Sequence, residues 1–100
     1  MFKELDPLLH SQLRLSIMSL LMAVEEADFV FLKEKTKATA GNLSVQIEKL
    51  REANYIDVNK YIDGRKPRTV CKVTQVGITA FECYIKDLNE YFSIAQKKEE

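Results

Sequence analysis

Asn42, Gln46 and Lys49 fall at i, i+4 and i+7 within residues 39–54 (TAGNLSVQIEKLREAN), so on a helix they share one face. Two amides and an ammonium so placed suit base edges in a DNA major groove, amides pairing with adenine and a cation with guanine. Val45 stands beside them, where it could meet a thymine methyl. On the other side Ala40, Leu43, Ile47 and Leu50 recur at i, i+3, i+7 and i+10, an apolar stripe that has to face a core. Thr39 is the expected N-cap. Gly41 in the first turn costs about 1 kcal/mol relative to Ala. That cost is easier to accept where the backbone comes close to a phosphate. Most polar helix faces are merely solvated, so the flanking sequence has to decide.

The charge distribution favours a polyanion. The chain of 100 residues has a formal net charge of zero, yet ten basic residues stand against five acids between Lys33 and Lys72. A basic middle with acidic flanks presents one part of the surface to a polyanion and restrains non-specific sticking elsewhere. With 46% hydrophobic and 30% charged residues, the composition is that of a globular, mainly helical single domain over residues 1–100. The most apolar uncharged run, residues 15–24, is too short to span a bilayer, and no signal peptide opens the chain.

Other chemistries find little to work with. There is one histidine, His10, and two cysteines, Cys71 and Cys83, without metal-ligand spacing. Two buried thiols in a cytosolic protein are expected rather than a disulfide. No nucleophile motif, phosphate-cradling glycine loop or metal cluster is present, so neither catalysis nor a cofactor is expected.

The elements that would position the amide face follow in order. Residues 7–24 predict a long first helix, capped by Asp6 with Pro7 in its first turn. It carries two apolar faces. Leu9, Leu13, Ile17, Leu20, Leu21 and Val24 form one. Leu8, Leu15, Met18 and Met22 form the other, with Leu5 just ahead. A small domain needs one such face for its own core, so the second is expected to bury against a copy of the chain. Residues 25–28 read as a charged break, with Asp28 capping a short helix over 29–36. Lys37-Ala38 then leads tightly into Thr39, giving a helix-turn-helix over residues 28–54, without the glycine often found in its turn.

From residue 55 the period changes to two. Residues 55–62 and 69–73 predict a β-hairpin over 55–73, turning at Asp63-Gly64. Its tip carries Arg65, Lys66 and Arg68, with Pro67 to stiffen it, and suits a phosphate backbone or the adjacent minor groove. Thr74 caps a last helix within residues 74–97. There Ile78, Phe81, Ile85, Leu88, Phe92 and Ala95 alternate steps of three and four, a seam widened by Tyr84 and Tyr91.

TAGNLSVQIEKLREANYI, the segment GRKPRT and VTQVGITAF together resemble the small stand-alone winged-helix transcriptional regulators related to the MarR-like repressors, over roughly residues 8 to 90. The resemblance implies a mainly α fold with a small β-hairpin wing, a winged helix-turn-helix with long N- and C-terminal helices. It further implies a prokaryotic, cytoplasmic regulator, a repressor binding double-stranded DNA as a homodimer on a palindromic site. Carried over, Thr39, Gly41, Asn42, Ser44, Val45, Gln46 and Lys49 would enter the groove, with Arg65, Lys66 and Arg68 as wing contacts. The dimer interface would use Leu5, Leu8, Leu15, Met18 and Met22 with Phe81, Tyr84, Ile85, Leu88, Tyr91 and Phe92. Where relatives often carry glycine, this chain has Asn54, which tolerates the left-handed conformation of a helix C-terminus. Met18, Met22, Tyr84 and Tyr91 are candidates to line a small-molecule effector pocket, although such residues at helical spacing are more often core. The alternative is a winged helix that serves protein contact without DNA.

Overall fold

The computed structural model describes residues 2–97. Its elements run α1 (Gln12–Val24), β1 (Glu26–Asp28), α2 (Phe29–Thr36), α3 (Ala40–Glu52), β2 (Ile56–Asp63), β3 (Lys66–Val73) and α4 (Gln75–Gln96). The strands form one antiparallel sheet in the order β1-β3-β2.

Helix starts follow side-chain caps. The Asp28 carboxylate accepts from Phe31 N–H at 2.8 Å, the Thr39 hydroxyl from Asn42 N–H at 3.2 Å, and the Thr74 hydroxyl from Gly77 N–H at 3.0 Å. All three caps were expected from sequence. The first helix differs: it begins at Gln12, not at residue 7. Asp6 does hold a turn, its Oδ1 accepting from Leu8 N–H at 2.9 Å and its carbonyl from His10 N–H. Ser11 then adopts an extended conformation and caps a fresh start, which carries Leu9 into the core, fully buried. A second good cap five residues after the first was enough to divide the predicted helix.

Helix α3 ends in a left-handed residue, Asn54, at φ 64°. Tyr55 N–H reaches Leu50 C=O at 3.0 Å and Asn54 N–H reaches Arg51 C=O at 2.9 Å, the paired bonds of a Schellman ending. In the turn between α2 and α3, Lys37 takes the left-handed conformation (φ 59°) that a glycine would have taken without strain.

Strand β1 was not foreseen. Residues 25–28 read as a charged break, but Glu26, Ala27 and Asp28 pair with Lys72, Cys71 and Val70. Three residues are too few to show a period, and their partner lies over forty positions away. In the hairpin, β3 starts at Lys66 rather than at Thr69, so Asp63 pairs with Lys66 and the loop is Gly64-Arg65. Gly64 has φ 67°, as the first position of a tight two-residue loop requires. Pro67 fits because β1 pairs no further than Val70, leaving that side of β3 open for a residue without an N–H.

Helix α1 is the centre of the body. It touches α2, α3, α4, β1 and β3, and both of its apolar faces supply buried residues, Ile17 and Leu21 from one and Met18 from the other. The expectation that the Met18 face needs a second chain is therefore corrected. Burial of Leu32, Leu43, Ile47, Leu50, Ile56, Cys71 and Tyr84 closes the core around it. Ala40, assigned to the buried stripe of α3, is instead exposed, since it opens the helix at its free end. Helix α4 packs against α1 with its first half and then leaves the body, giving a molecule 66 Å long and only 25 by 21 Å across.

Candidate nucleic-acid interface

The amphipathic pattern of α3 buries Leu43, Ile47 and Leu50 and turns Asn42, Ser44, Val45 and Lys49 outward, all exposed. Thr39 is exposed at the N-terminus of the helix. A Cβ at Gly41 would meet nothing within 4 Å, so no contact inside the chain requires glycine there. Val45, half exposed, is an apolar methyl pair amid polar neighbours.

Gln46 differs from the rest of this face. It is half-buried, its Oε1 accepts from Arg14 Nη1 at 2.5 Å, and its Nε2 donates to Asn42 Oδ1 at 3.0 Å. The two amides thus act as a linked pair held from behind by α1. Sequence reading missed Arg14, although a signal existed: it is the only Lys, Arg, Asp or Glu between Pro7 and Val24.

One acid of α3 is paired within the helix. Glu48 is bound by the Arg51 guanidinium one turn on, which holds the carboxyl below its ordinary range and raises the guanidinium above its own. The acid nearest Lys49 is thereby neutralised within the helix.

The three wing cations do not act alike. Arg65 in the loop and Lys66 beside it are exposed, and neither forms an ion pair among the described residues. Arg68 is drawn back: Nη1 lies 2.7 Å from Asp28 Oδ2 and Nε 3.3 Å from Asp63 Oδ2. Its expected place at the tip is corrected, because β3 begins at Lys66 and carries Arg68 toward the cap of α2.

Of the residues assigned to a dimer interface, Met18 is fully buried and Tyr84 is 3% exposed in this chain's own core. Neither has surface to offer a partner or an effector cavity, and Tyr84 OH is hydrogen-bonded to His10 Nδ1 at 2.9 Å. Leu5, Leu8, Leu15, Phe81 and Ile85 are half-buried against the core, and Met22 is half-buried. Leu88, Tyr91 and Phe92 lie exposed on the projecting half of α4. Phe2, which sequence reading passed over, stacks on Tyr91 with ring centroids 4.4 Å apart, and Ile94 extends the same apolar end. The thiols also divide. Cys71 is buried, which pushes its pKa up to about 11, whereas Cys83 is exposed rather than buried. No helix among the described residues is long and apolar enough to cross a membrane.

A family model described as a winged helix DNA-binding domain matches residues 13–92. The chain is 34% identical over 79 residues to an uncharacterised protein of Methanocaldococcus jannaschii, covering 79% of this chain and 86% of that one. Among solved structures it is similar to a transcriptional regulator homologue from Pyrococcus horikoshii OT3, with a TM-score of 0.84, 27% identity and coverage of 90% and 89%. It shares its fold with NadR, solved in complex with 4-hydroxyphenylacetate, at a TM-score of 0.70, 19% identity and coverage of 90% and 66%. The four helices and three-stranded antiparallel sheet make a mainly helical winged-helix fold, in the order expected from sequence except for the added strand β1.

Proposed function

The chain belongs to the winged helix DNA-binding domain family, and from that premise we propose that it is a sequence-specific transcription regulator acting on double-stranded DNA as a homodimer. In this reading α3 enters the major groove with Thr39, Gly41, Asn42, Ser44, Val45, Gln46 and Lys49. Arg65 and Lys66 lie along the phosphate backbone or in the minor groove, and Arg68 contributes less. The observation that carries it is the outward face of α3, where amides, a lysine and a half-exposed valine share one surface whose Glu48 is already neutralised by Arg51. Solved structures of similar fold include transcriptional regulators, and the reading assigns no catalytic residue.

Dimerisation is supported by the apolar end of α4. Leu88, Tyr91, Phe92 and Ile94, with Phe2 stacked beside them, stand exposed on a helix that has left its own core. Two copies joined there would present two recognition helices for successive major grooves about 34 Å apart, on a palindromic site. Action as a repressor in a prokaryotic cytoplasm goes with this reading.

Electrophoretic shift with genomic fragments across a salt series tests it. Retarded complexes that weaken as salt rises and survive competitor DNA are expected. Absence of any shift at low salt, with a stable complex to another protein, would favour a protein-contact module instead.

A further inference from the structure

Arg14 faces α3 rather than a carboxylate. Its Nε donates to Leu8 C=O at 2.5 Å and its Nη1 to Gln46 Oε1 at 2.5 Å, while Gln46 Nε2 donates to Asn42 Oδ1 at 3.0 Å. A guanidinium has only donors, so Gln46 has to turn its oxygen toward it. The Gln46 NH2 group then faces Asn42, which can meet it only with Oδ1. One cation thus dictates the orientation of both amides. The amide donors that remain unpaired among the described residues are the Asn42 NH2 group and the second N–H of Gln46.

We propose that Arg14 is a positioning residue for base recognition, presenting Asn42 and Gln46 to the groove as hydrogen-bond donors and directing them to guanine. The proposal rests on the DNA-binding reading above. A guanine edge offers two acceptors, O6 and N7, whereas adenine offers one acceptor and one donor and calls for a free amide oxygen. Both amide oxygens already accept a hydrogen bond within the protein, Gln46 Oε1 from Arg14 behind it and Asn42 Oδ1 from Gln46 beside it. The positive charge at the head of the chain also polarises each following N–H, which strengthens donation at its outer end. The adenine pairing that Asn and Gln suggest by residue type is therefore reversed by their setting.

Selection of bound duplexes from a random pool tests this with wild type, Arg14→Met, Arg14→Lys and Asn42→Ala. Wild type is expected to favour guanine roughly tenfold at one position of each half-site. Arg14→Met frees the amides to flip, so that preference levels or turns to adenine there, with other positions and the salt slope unchanged. Arg14→Lys supplies another donor-only cation and keeps guanine. Asn42→Ala leaves the Arg14 contacts intact and loses the same position, so it carries the test if Arg14→Met does not fold in a melting curve. Adenine selected by wild type, or a guanine preference that survives Asn42→Ala, overturns the proposal. So does a folded Arg14→Met protein whose base preference stands, and a salt slope that falls as well, by about 0.9 per protomer, marks a phosphate contact instead. A wild type that selects a site without guanine there overturns this inference alone. A wild type that enriches nothing overturns the DNA-binding reading as well.

Discussion

The Arg68 guanidinium stands 2.7 Å from the Asp28 carboxylate, joining the wing to the residue that caps α2. With Asp63 Oδ2 3.3 Å away on its other side, Arg68 is neutralised before any ligand arrives. A cation already paired displaces few counterions on binding. Arg65→Ala should therefore lower the slope of log affinity against log salt by about 0.9 per protomer, about 1.8 for the dimer, and Arg68→Ala by well under half of that. Titration of both variants over a salt series decides between them. Equal slopes would mean that the ion pair opens on DNA.

Two glycines should respond to alanine with opposite signs. A Cβ at Gly77 would lie 2.1 Å from the Tyr55 carbonyl oxygen and 2.9 Å from its carbon, and neither backbone atom can move aside cheaply. Gly77→Ala should cost about 3 kcal/mol, a fall of more than about 10 °C in melting temperature. At Gly41 the space is open, so Gly41→Ala should add about 1 kcal/mol of helix stability. If its backbone approaches a phosphate, the same variant binds DNA more weakly while melting higher. Thermal melts and a binding isotherm check both halves.

Tyr55 donates its phenol to Asp6 Oδ2 at 2.5 Å, tying the N-terminal segment to the end of α3. Burial first, then the hydrogen bond and charge of Asp6, raises its pKa to about 12. A group whose pKa rises on folding contributes fully below its unfolded value, about 10, and loses that contribution as pH climbs to 12. Two units would be about 2.7 kcal/mol at a dry site, which partial exposure screens to about 1 kcal/mol. Wild type should thus lose its advantage over Tyr55→Phe between pH 10 and 12. Denaturant midpoints at pH 7, 10 and 12 measure it, and a gap that persists undiminished at pH 12 would sink the account.

Phe92 is 62% exposed on the far half of α4, beside Leu88 and Tyr91. Phe92→Asp should convert a dimer to a monomer in sedimentation without lowering the melting temperature of the monomer. It should also weaken binding to a palindromic duplex much more than to a single half-site. A wild type that sediments as a monomer would remove this interface from consideration.

The sequence was most informative where local chemistry acts alone. Asp28, Thr39 and Thr74 cap where their side chains suggest, Asn54 takes the left-handed conformation, and Gly64 turns the hairpin. What stayed hidden depends on partners distant in the chain. Strand β1 exists because Cys71 and its neighbours lie alongside it. Met18 is core because α1 is surrounded, which two apolar faces on a short chain could as well have assigned to a second copy. The candidate site shows the same division. Spacing put Asn42, Gln46 and Lys49 on one helix, but nothing in spacing tells that Arg14, thirty-two positions before Gln46, would fix the direction of an amide.

Helix α4 is rooted where α3 ends: Thr74 Oγ1 donates to Asn54 C=O at 2.6 Å, Thr74 N–H to Tyr55 C=O at 3.0 Å, and Gly77 lies against that same carbonyl. A pair of chains clasped at the distal tips would carry its two readers on stiff levers, the projecting halves of α4 beyond Ile85, each about 16 Å long. Small shifts in the seating of α4, held at this root and again where Tyr84 enters the core, would then widen or narrow the gap between the readers far more than any rotamer change could. Tolerance for inserted or deleted base pairs between half-sites would accordingly be set by that seating, some distance from every atom that meets DNA.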